Sequence, residues 1–468
     1  MTSSAEASVE ICNPATGARI ADMRVFAPDH VTATIATAQD GKRAMAALPA
    51  HERAALLSRV ADGIEERLVE LARLLASENG KPISQTREEI RAAIRIFRGF
   101  GEEAKRIFGR QIPMDAVPGL ERHLAITIRE PVGVVAAIVP FNYPVELYAH
   151  KAAAALAAGN AVIVKPPEKC PLTLLEIARI VTDAGCPDGA HTMVTGGPEV
   201  ARILAASPDV QLISLTGSTV AGREIASLAA TTLKKVHLEL GGNDPMIVCA
   251  DADLTKAVDA VVLGRLARGN GQICCAVKRI FVADELYDEF ADSVAKRARD
   301  LVVGDPLDER TEVGPLITEA AARSVEASIQ QAVHDGASIV AGGERNGSYI
   351  APTVLTEVQP NEPAIAAEIF GPVAPLVRVQ NSEDAVRYAN ASDYGLHAAV
   401  FTRDINRAFS MARRLEAGSV IINGSTALRS ENLPFGGVKQ TGGTREGLHD
   451  TLLEMTEQKT IIVMEALA

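Results

Sequence analysis

The chain has 468 residues, 47% of them apolar and 23% charged, with a formal net charge of −12. That length supports two or three domains around a large core, and the composition is that of a folded protein rather than a disordered one. The negative balance and the absence of tryptophan argue against nucleic acid or an anionic membrane surface as main partner, leaving room only for a local basic pocket.

The N-terminal stretch MTSSAEASVEICNPATG is polar and has no apolar signal-peptide core. The longest apolar runs, 132–140 and 152–164, are broken by Pro or Gly and too short to span a bilayer. Six cysteines, Cys12, Cys170, Cys186, Cys249, Cys274 and Cys275, form no CxxC and no Cys/His zinc spacing, so no metal is expected. The set fits a reducing cytoplasm, where a cysteine can act as a nucleophile.

After the NPATG turn the chain reads as helices to about residue 110. Leu56, Val60, Ile64, Leu68, Leu71 and Leu75 recur at helical spacing and predict one helix over 52–79, ended by Gly80, Lys81 and Pro82. Another follows from Gln85 to Phe108. From Gly133 the pattern changes. GVVAAIVP, NAVIVKP, HTMVTGG, VQLISLTGS and KKVHLEL read as five strands separated by four helices. That order predicts a parallel, doubly wound sheet with ligands at the carboxyl ends of its strands. The alternation restarts after Gly241 and Gly242 with MIVCA, a helix from Asp253, KRIFVA and a helix over 285–301, and it ends at SVIING. The fold class is therefore α/β. The expected organisation is a Rossmann-like cofactor domain over 1–118 and 133–240, a catalytic α/β domain over 241–445, and a β-arm for oligomerisation over 119–132 and 446–468. In the arm, ERHLAITIRE and TEQKTIIVMEA would pair as strands.

Several positions in this frame suit chemistry. Cys274, in GNGQICCAVKR, is placed by the pattern at a loop-to-helix junction, where a helix N-terminus lowers a thiol pKa. A buried structural cysteine is the competing reading. Glu239, in LELGGNDP, ends a strand and reads either as a general base or as a solvated side chain. Asn142, in PFNYP, is either an oxyanion donor or a turn residue. Lys165 and Glu168, in VIVKPPEK, follow the second strand, where such sheets hold a nucleotide ribose; an ordinary charged loop is the alternative. GSTVAG, from Gly217 to Gly222, joins a strand to a helix whose N-terminus suits phosphate, although such turns are common without ligands.

In this order PFNYP, AALAAGNAVIVKPPE, LTGSTVAG, LELGGNDP, GQIC, EIFGP and PFGGVK resemble the aldehyde dehydrogenase superfamily, and the likeness runs from NPATG to PFGGVKQTGGTREG. The resemblance implies the aldehyde dehydrogenase fold and oxidation of an aldehyde to its acid with NAD, or alternatively NADP. It makes Cys274 the nucleophile that forms a thiohemiacetal and then a thioester. Asn142 and the Cys274 N–H become the oxyanion hole, Glu239 the base that activates the hydrolytic water, and Lys151 a proton relay. It places Pro140 and Phe141 beside the cofactor, Lys165 and Glu168 at the adenosine ribose, and Gly217, Ser218 and Gly222 at the pyrophosphate. Glu368 and Phe370 fall at the nicotinamide ribose. Glu168 favours NAD, because a carboxylate repels a 2′-phosphate. The implied partners are a small-molecule aldehyde and further copies of the chain in a homodimer or homotetramer.

Three departures from the family pattern stand out. Gly269 and Asn270 occupy the stretch where an asparagine usually precedes GQxC. The interval from Glu239 to Cys274 is one residue longer than usual, with the extra residue expected in 265–270. KQTGGTREG replaces KxSGxGRE, a change expected to affect packing. FNYPV, LGGNDP, CxAVKR and the PFGGVK ending are most similar to the branch with lactaldehyde, non-phosphorylating glyceraldehyde-3-phosphate and phosphonoacetaldehyde dehydrogenases. For a small polar or anionic aldehyde, Arg98, Tyr143, His150 and Arg429 are the candidate substrate residues, with surface salt bridging as the alternative for both arginines. Ile273 stands where an arginine often precedes the nucleophile, and Glu146 opposes an anion. Two rival readings are a CoA-acylating semialdehyde dehydrogenase and a non-catalytic binding or structural homologue. Glu239 argues against the first, and Cys274 with Glu239 against the second.

Overall fold

A computed structural model describes residues 8–360 and 362–466; the start of the polar N-terminal stretch and the last two residues of the expected arm lie outside the described residues. The five expected strands form one fully parallel sheet in the spatial order His191–Met193, Ala161–Lys165, Val134–Ile138, Leu212–Thr216, Lys235–Glu239. Every residue of the three central strands is buried, which is why they read as unbroken apolar runs. The strand order reverses at Val134–Ile138 and opens a crevice beside Leu212–Thr216 at the carboxyl edge. Helices Pro144–Ala158, Leu172–Asp183, Pro198–Ala206 and Thr219–Ala230 make the four crossovers.

The N-terminal helices cover both faces of this sheet. Val31, Ile35 and Ala38 of Pro28–Ala47 share a core with Ala136 and Ile163 on one face. Leu56, Val60, Leu75 and Phe97 share another with Val135, Val162 and Tyr148. The single helix expected over 52–79 is in fact two, Ala50–Glu66 and Leu68–Asn79, broken where Arg67 leaves helical geometry at φ −103° and ψ 14°. The Arg67 guanidinium reaches Glu176 at 2.9 Å, which anchors the bend to the helix Leu172–Asp183. Both halves keep their apolar residues on one core, so the spacing in sequence passes through the break unmarked. The following helix runs over Ile83–Ala104 and stops short of Phe108, because Gly109 must pass against the Thr127 main chain to enter the arm.

A seven-stranded sheet forms the second half, in the order Ser338–Ala341, Thr353–Thr356, Val373–Val379, Arg279–Ala283, Pro245–Val248, His397–Phe401, Ser419–Ile422. Only its first pair is antiparallel. Leu124–Pro131 and Thr456–Val463 pair antiparallel from Pro131↔Thr456 to Leu124↔Val463, with Gln111–Ile112 on the far side. Thr456–Val463 is thus a free edge. No helix among the described residues is long and apolar enough to cross a membrane, and all six cysteines are free.

Candidate active site

Val134–Ile138 delivers Pro140, Phe141 and Asn142 to the start of helix Pro144–Ala158. The Asn142 amide donates to the Gln272 carbonyl at 3.0 Å, which fixes its plane and leaves its second N–H for another acceptor. A buried ion pair, Lys81 with Glu89, supports this segment. Lys81 donates to the Asn142 carbonyl at 2.7 Å, and Glu89 accepts from Val145 N at 2.8 Å at the helix N-terminus. Sequence reasoning used Gly80-Lys81-Pro82 only as a helix stop and missed this support.

The approach to Cys274 is irregular where an extra residue is expected. Helix Leu254–Val261 passes into a π-helix over Val262–Ala267, a turn that holds one residue more than an α-turn. The wide turn overlaps the expected range 265–270 at residues 265–267. Gly269, Asn270 and Gly271 then follow in left-handed geometry at φ 58°, 54° and 72°. Asn270 offsets that conformation through its side chain, which donates to Gly80 O at 3.0 Å and Pro315 O at 2.9 Å and accepts from Gly314 N at 2.8 Å. The fully buried Arg265 donates to the Ile369 carbonyl at 2.9 Å and pins the loop from behind.

Cys274 does not start a helix, contrary to expectation. It lies in a turn that leads into the strand Arg279–Ala283. No helix dipole lowers its pKa. Its hydrogen bond with the Cys275 sulfur, together with burial, pushes the thiol well above the ordinary cysteine range, and Lys278 and Arg429 oppose that shift.

Glu239 closes the strand Lys235–Glu239 and is buried, with Thr444 Oγ1 donating to it at 3.3 Å. Burial and the nearby Glu446 push its carboxyl well above the usual range, against the pull of Lys151. Lys151, itself buried, donates to Glu446 Oε2 at 3.0 Å. Arg429 also donates to Glu446, and to Glu146 at 3.0 Å. Glu446 belongs to the KQTGGTREG segment that the sequence assigned to packing.

Asn142, Cys274, Cys275, Arg268 and Arg429 line a cavity of about 30 Å³. Tyr143, Glu146, Arg268 and Arg429 also line a neighbouring cavity of about 460 Å³, bounded by Glu88, Arg95 and Glu431. The substrate residues expected from sequence divide sharply. Tyr143 lines both cavities. Arg429 does too, but its charge is met by two carboxylates. Arg98 lines neither cavity: its guanidinium projects from the helix surface to Asp62 at 3.0 Å and Glu65 at 2.5 Å. His150 also lines neither. It packs edge-on to Phe100 with both ring nitrogens unpartnered, and burial takes its pKa down to about 3, so the ring is neutral. Arg268 takes the place expected of Arg98. It donates to Ala427 O at 2.6 Å, lies 6.0 Å from the Tyr143 ring and pairs with no carboxylate among the described residues. It shares the glycine-rich approach to Cys274 with the fully buried Arg265, and the sequence does not say which of the two reaches the cavity.

At the carboxyl edge of the parallel sheet, Ser218 caps helix Thr219–Ala230 by accepting from Ala221 N at 3.2 Å. The neighbouring Thr216 hydroxyl is buried without a partner. Lys165 ends its strand, buried, and its ammonium bonds Pro166 O at 3.2 Å. The Glu168 carboxylate lies against Gly197, where a β-carbon would sit 3.0 Å from Oε1. Phe141 and Phe370 meet edge-to-face at 5.9 Å. An orphaned hydroxyl, a capped helix start and a lysine–glutamate pair at one crevice fit a dinucleotide.

A family model described as the aldehyde dehydrogenase family matches residues 1–461. The chain belongs to this family. It is 38% identical to a 3-sulfolactaldehyde dehydrogenase from Priestia aryabhattai over 97% of this chain and 94% of that protein. It is 41% identical to a succinate-semialdehyde dehydrogenase [NADP(+)] from Deinococcus radiodurans over 96% and 93%. Among solved structures, glyceraldehyde-3-phosphate dehydrogenase GapN from Methanocaldococcus jannaschii complexed with NADP superposes with a TM-score of 0.94 at 38% identity, covering 98% of this chain and all of that one. The protein is an aldehyde dehydrogenase that oxidises an aldehyde to its acid with NAD(P), and the CoA-acylating alternative is not favoured.

Proposed function

We propose that Cys274 is the nucleophile, Asn142 and the Cys274 N–H the oxyanion donors, and Glu239 the base of the hydrolytic half-reaction. The observation that carries this reading is the convergence of Asn142 and Cys274 on one cavity. The Cys274 thiol gives up its proton to water and its sulfur attacks the aldehyde carbon; the carbonyl π bond opens, and the thiohemiacetal oxyanion meets the free Asn142 N–H. Lys165, Glu168, the turn from Gly217 to Gly222, Glu368 and Phe370 would hold NAD(P), which would supply the hydride acceptor. Glu239 then takes a proton from water, the water oxygen attacks the thioester, and the C–S bond breaks to release the acid. Lys151 and Glu446 carry the proton away from Glu239. The charge of Glu168 favours NAD over NADP.

The substrate is a small anionic aldehyde, with Arg268 as the group that meets its distal charge. Arg429 is already balanced by Glu146 and Glu446, whereas Arg268 forms no ion pair among the described residues, feels Glu146 only at longer range, and lines both cavities. Relatives named for sulfolactaldehyde and succinate semialdehyde support the same class. The test compares succinate semialdehyde with butanal. Arg268→Met should cost about 1.5–3 kcal/mol on the charged aldehyde, roughly 10- to 150-fold in kcat/KM, with butanal changed less than about threefold. Equal losses on both aldehydes would remove Arg268 from the substrate site.

The same reading divides the chain into a cofactor domain (1–118 and 133–240), a catalytic domain (241–445) and an arm (119–132 and 446–468). It makes the protein a cytoplasmic homodimer or homotetramer. The free edge of Thr456–Val463, with Ile462 and Val463 about half exposed, supports the arm's role.

A further inference from the structure

Lys278 lies four residues after the nucleophile, just before the strand Arg279–Ala283, with 1% of its side chain exposed. Its ammonium has three N–H groups and three acceptors: the Gly242 carbonyl at 2.7 Å, the Cys274 carbonyl, and Glu368 Oε1 at 2.7 Å. No role assigned above uses this side chain. The surrounding main chain allows little slack. A β-carbon on Gly241 would sit 2.5 Å from Glu368 Oε2, and one on Gly242 would sit 2.7 Å from the Cys274 carbonyl oxygen.

We infer that Lys278 is a positioning residue that couples Glu368 to the main chain of the nucleophile, so that a cofactor held by Glu368 changes the reactivity of the Cys274 thiol. This rests on the assignment of Glu368 to the cofactor. The ammonium is sealed from water, so an acceptor that turns away is not replaced by solvent. When Glu368 turns toward ribose hydroxyls, the ammonium either follows it or redistributes its bonds to the two carbonyls. The Cys274 carbonyl belongs to the peptide joining Cys274 to Cys275. Tilting that peptide alters the bond between the two sulfurs and the aim of the Cys274 thiol.

The experiment measures iodoacetamide alkylation of Cys274 by peptide mass spectrometry, with and without saturating NAD, alongside NAD binding by calorimetry. In the wild-type chain NAD should change the alkylation rate at least fivefold. In Lys278→Met the ratio should fall below 1.5 while NAD still binds, and Lys278→Arg should recover part of it. Glu368→Ala removes the other end of the link and should lose the coupling as well, which keeps the test decisive if Lys278→Met does not fold. A wild-type ratio near one, or a full ratio retained by whichever variant folds and binds NAD, overturns the inference alone. A wild-type chain that binds neither NAD nor NADP overturns the cofactor assignment and the inference with it.

Discussion

Cys274 and Cys275 are adjacent, yet the fold gives them different surroundings. Cys275 is buried in a small core with Ile273, Ala276 and Phe435, and its carbonyl accepts from Thr426 Oγ1 at 2.7 Å. Cys274 is the more exposed of the two. Cys274→Ala should therefore abolish turnover, and Cys275→Ala should retain it. The second variant also removes the sulfur that does most to hold the Cys274 thiol protonated. Its alkylation-versus-pH curve should move to lower pH than the wild-type curve, and an unmoved curve would show that burial alone sets the thiol. Glu239 has its own signature. Glu239→Gln should form one equivalent of reduced cofactor in a burst and then slow by about 10²–10⁴-fold, because the thioester forms but its water lacks a base. With the wild-type carboxyl pushed well above its ordinary value, steady-state turnover should rise with pH until Glu239 ionises. A variant with no burst would place Glu239 in acylation instead.

At the scale of elements, what the sequence made legible follows from local physics. The five parallel strands were readable because strands buried on both faces leave continuous apolar runs. Asn142 and Cys274, which the fold brings to one cavity, stood out as candidates because each sits in a short motif, as did Glu239 at its strand end. The break at Arg67 was not, since an arginine carries no turn signal and the apolar spacing continues across it. The π-helix over Val262–Ala267 was visible only as a count, one residue too many, because nothing in its composition marks the wider turn. The Lys151–Glu446 bond joins residues 295 positions apart, and no local pattern reports such a contact. Arg98 failed for a related reason: its position along the chain is near the site, but its helix turns it to the surface. The arm yields a prediction of its own. Ile461 and Val463 lie on one face of its edge strand, 39% and 47% exposed. Under the proposed homo-oligomer, replacing both with Lys should give smaller species by light scattering, with little change in far-UV circular dichroism. An unchanged mass would place the subunit contact elsewhere.

Across the whole molecule, the site is built from buried charge. Lys81, Glu89, Lys151, Glu239, Arg265, Lys278 and Glu446 are all nearly inaccessible. Such groups specify one arrangement more than they stabilise it, because each pairing is set against desolvation. The buried histidines give this an observable sign. Burial lowers His150 to about 3 and His191 and His397 to about 4, from an ordinary value of 6.5, and lowers His237 as well. A histidine held neutral in the fold contributes stability that is fully present above about pH 6.5 and is lost as pH falls toward its folded value. Glu78, raised to about 7 by burial, acts in the opposite sense: its contribution is fully present below about 4.5 and is lost as pH rises through 7. Net acid sensitivity therefore mixes both signs, and a single variant isolates one. His150 has no hydrogen-bond partner to lose, so His150→Leu removes its titration with the least collateral change. At pH 4.5, two units below the unfolded value, that titration should cost the wild-type chain about 2.7 kcal/mol relative to pH 7.5. Urea midpoints at both pH values, at one fixed protein concentration so that any subunit association cancels, should show the wild-type chain losing about that much more stability than His150→Leu. Parallel losses in the two proteins would mean that His150 is protonated in the folded state.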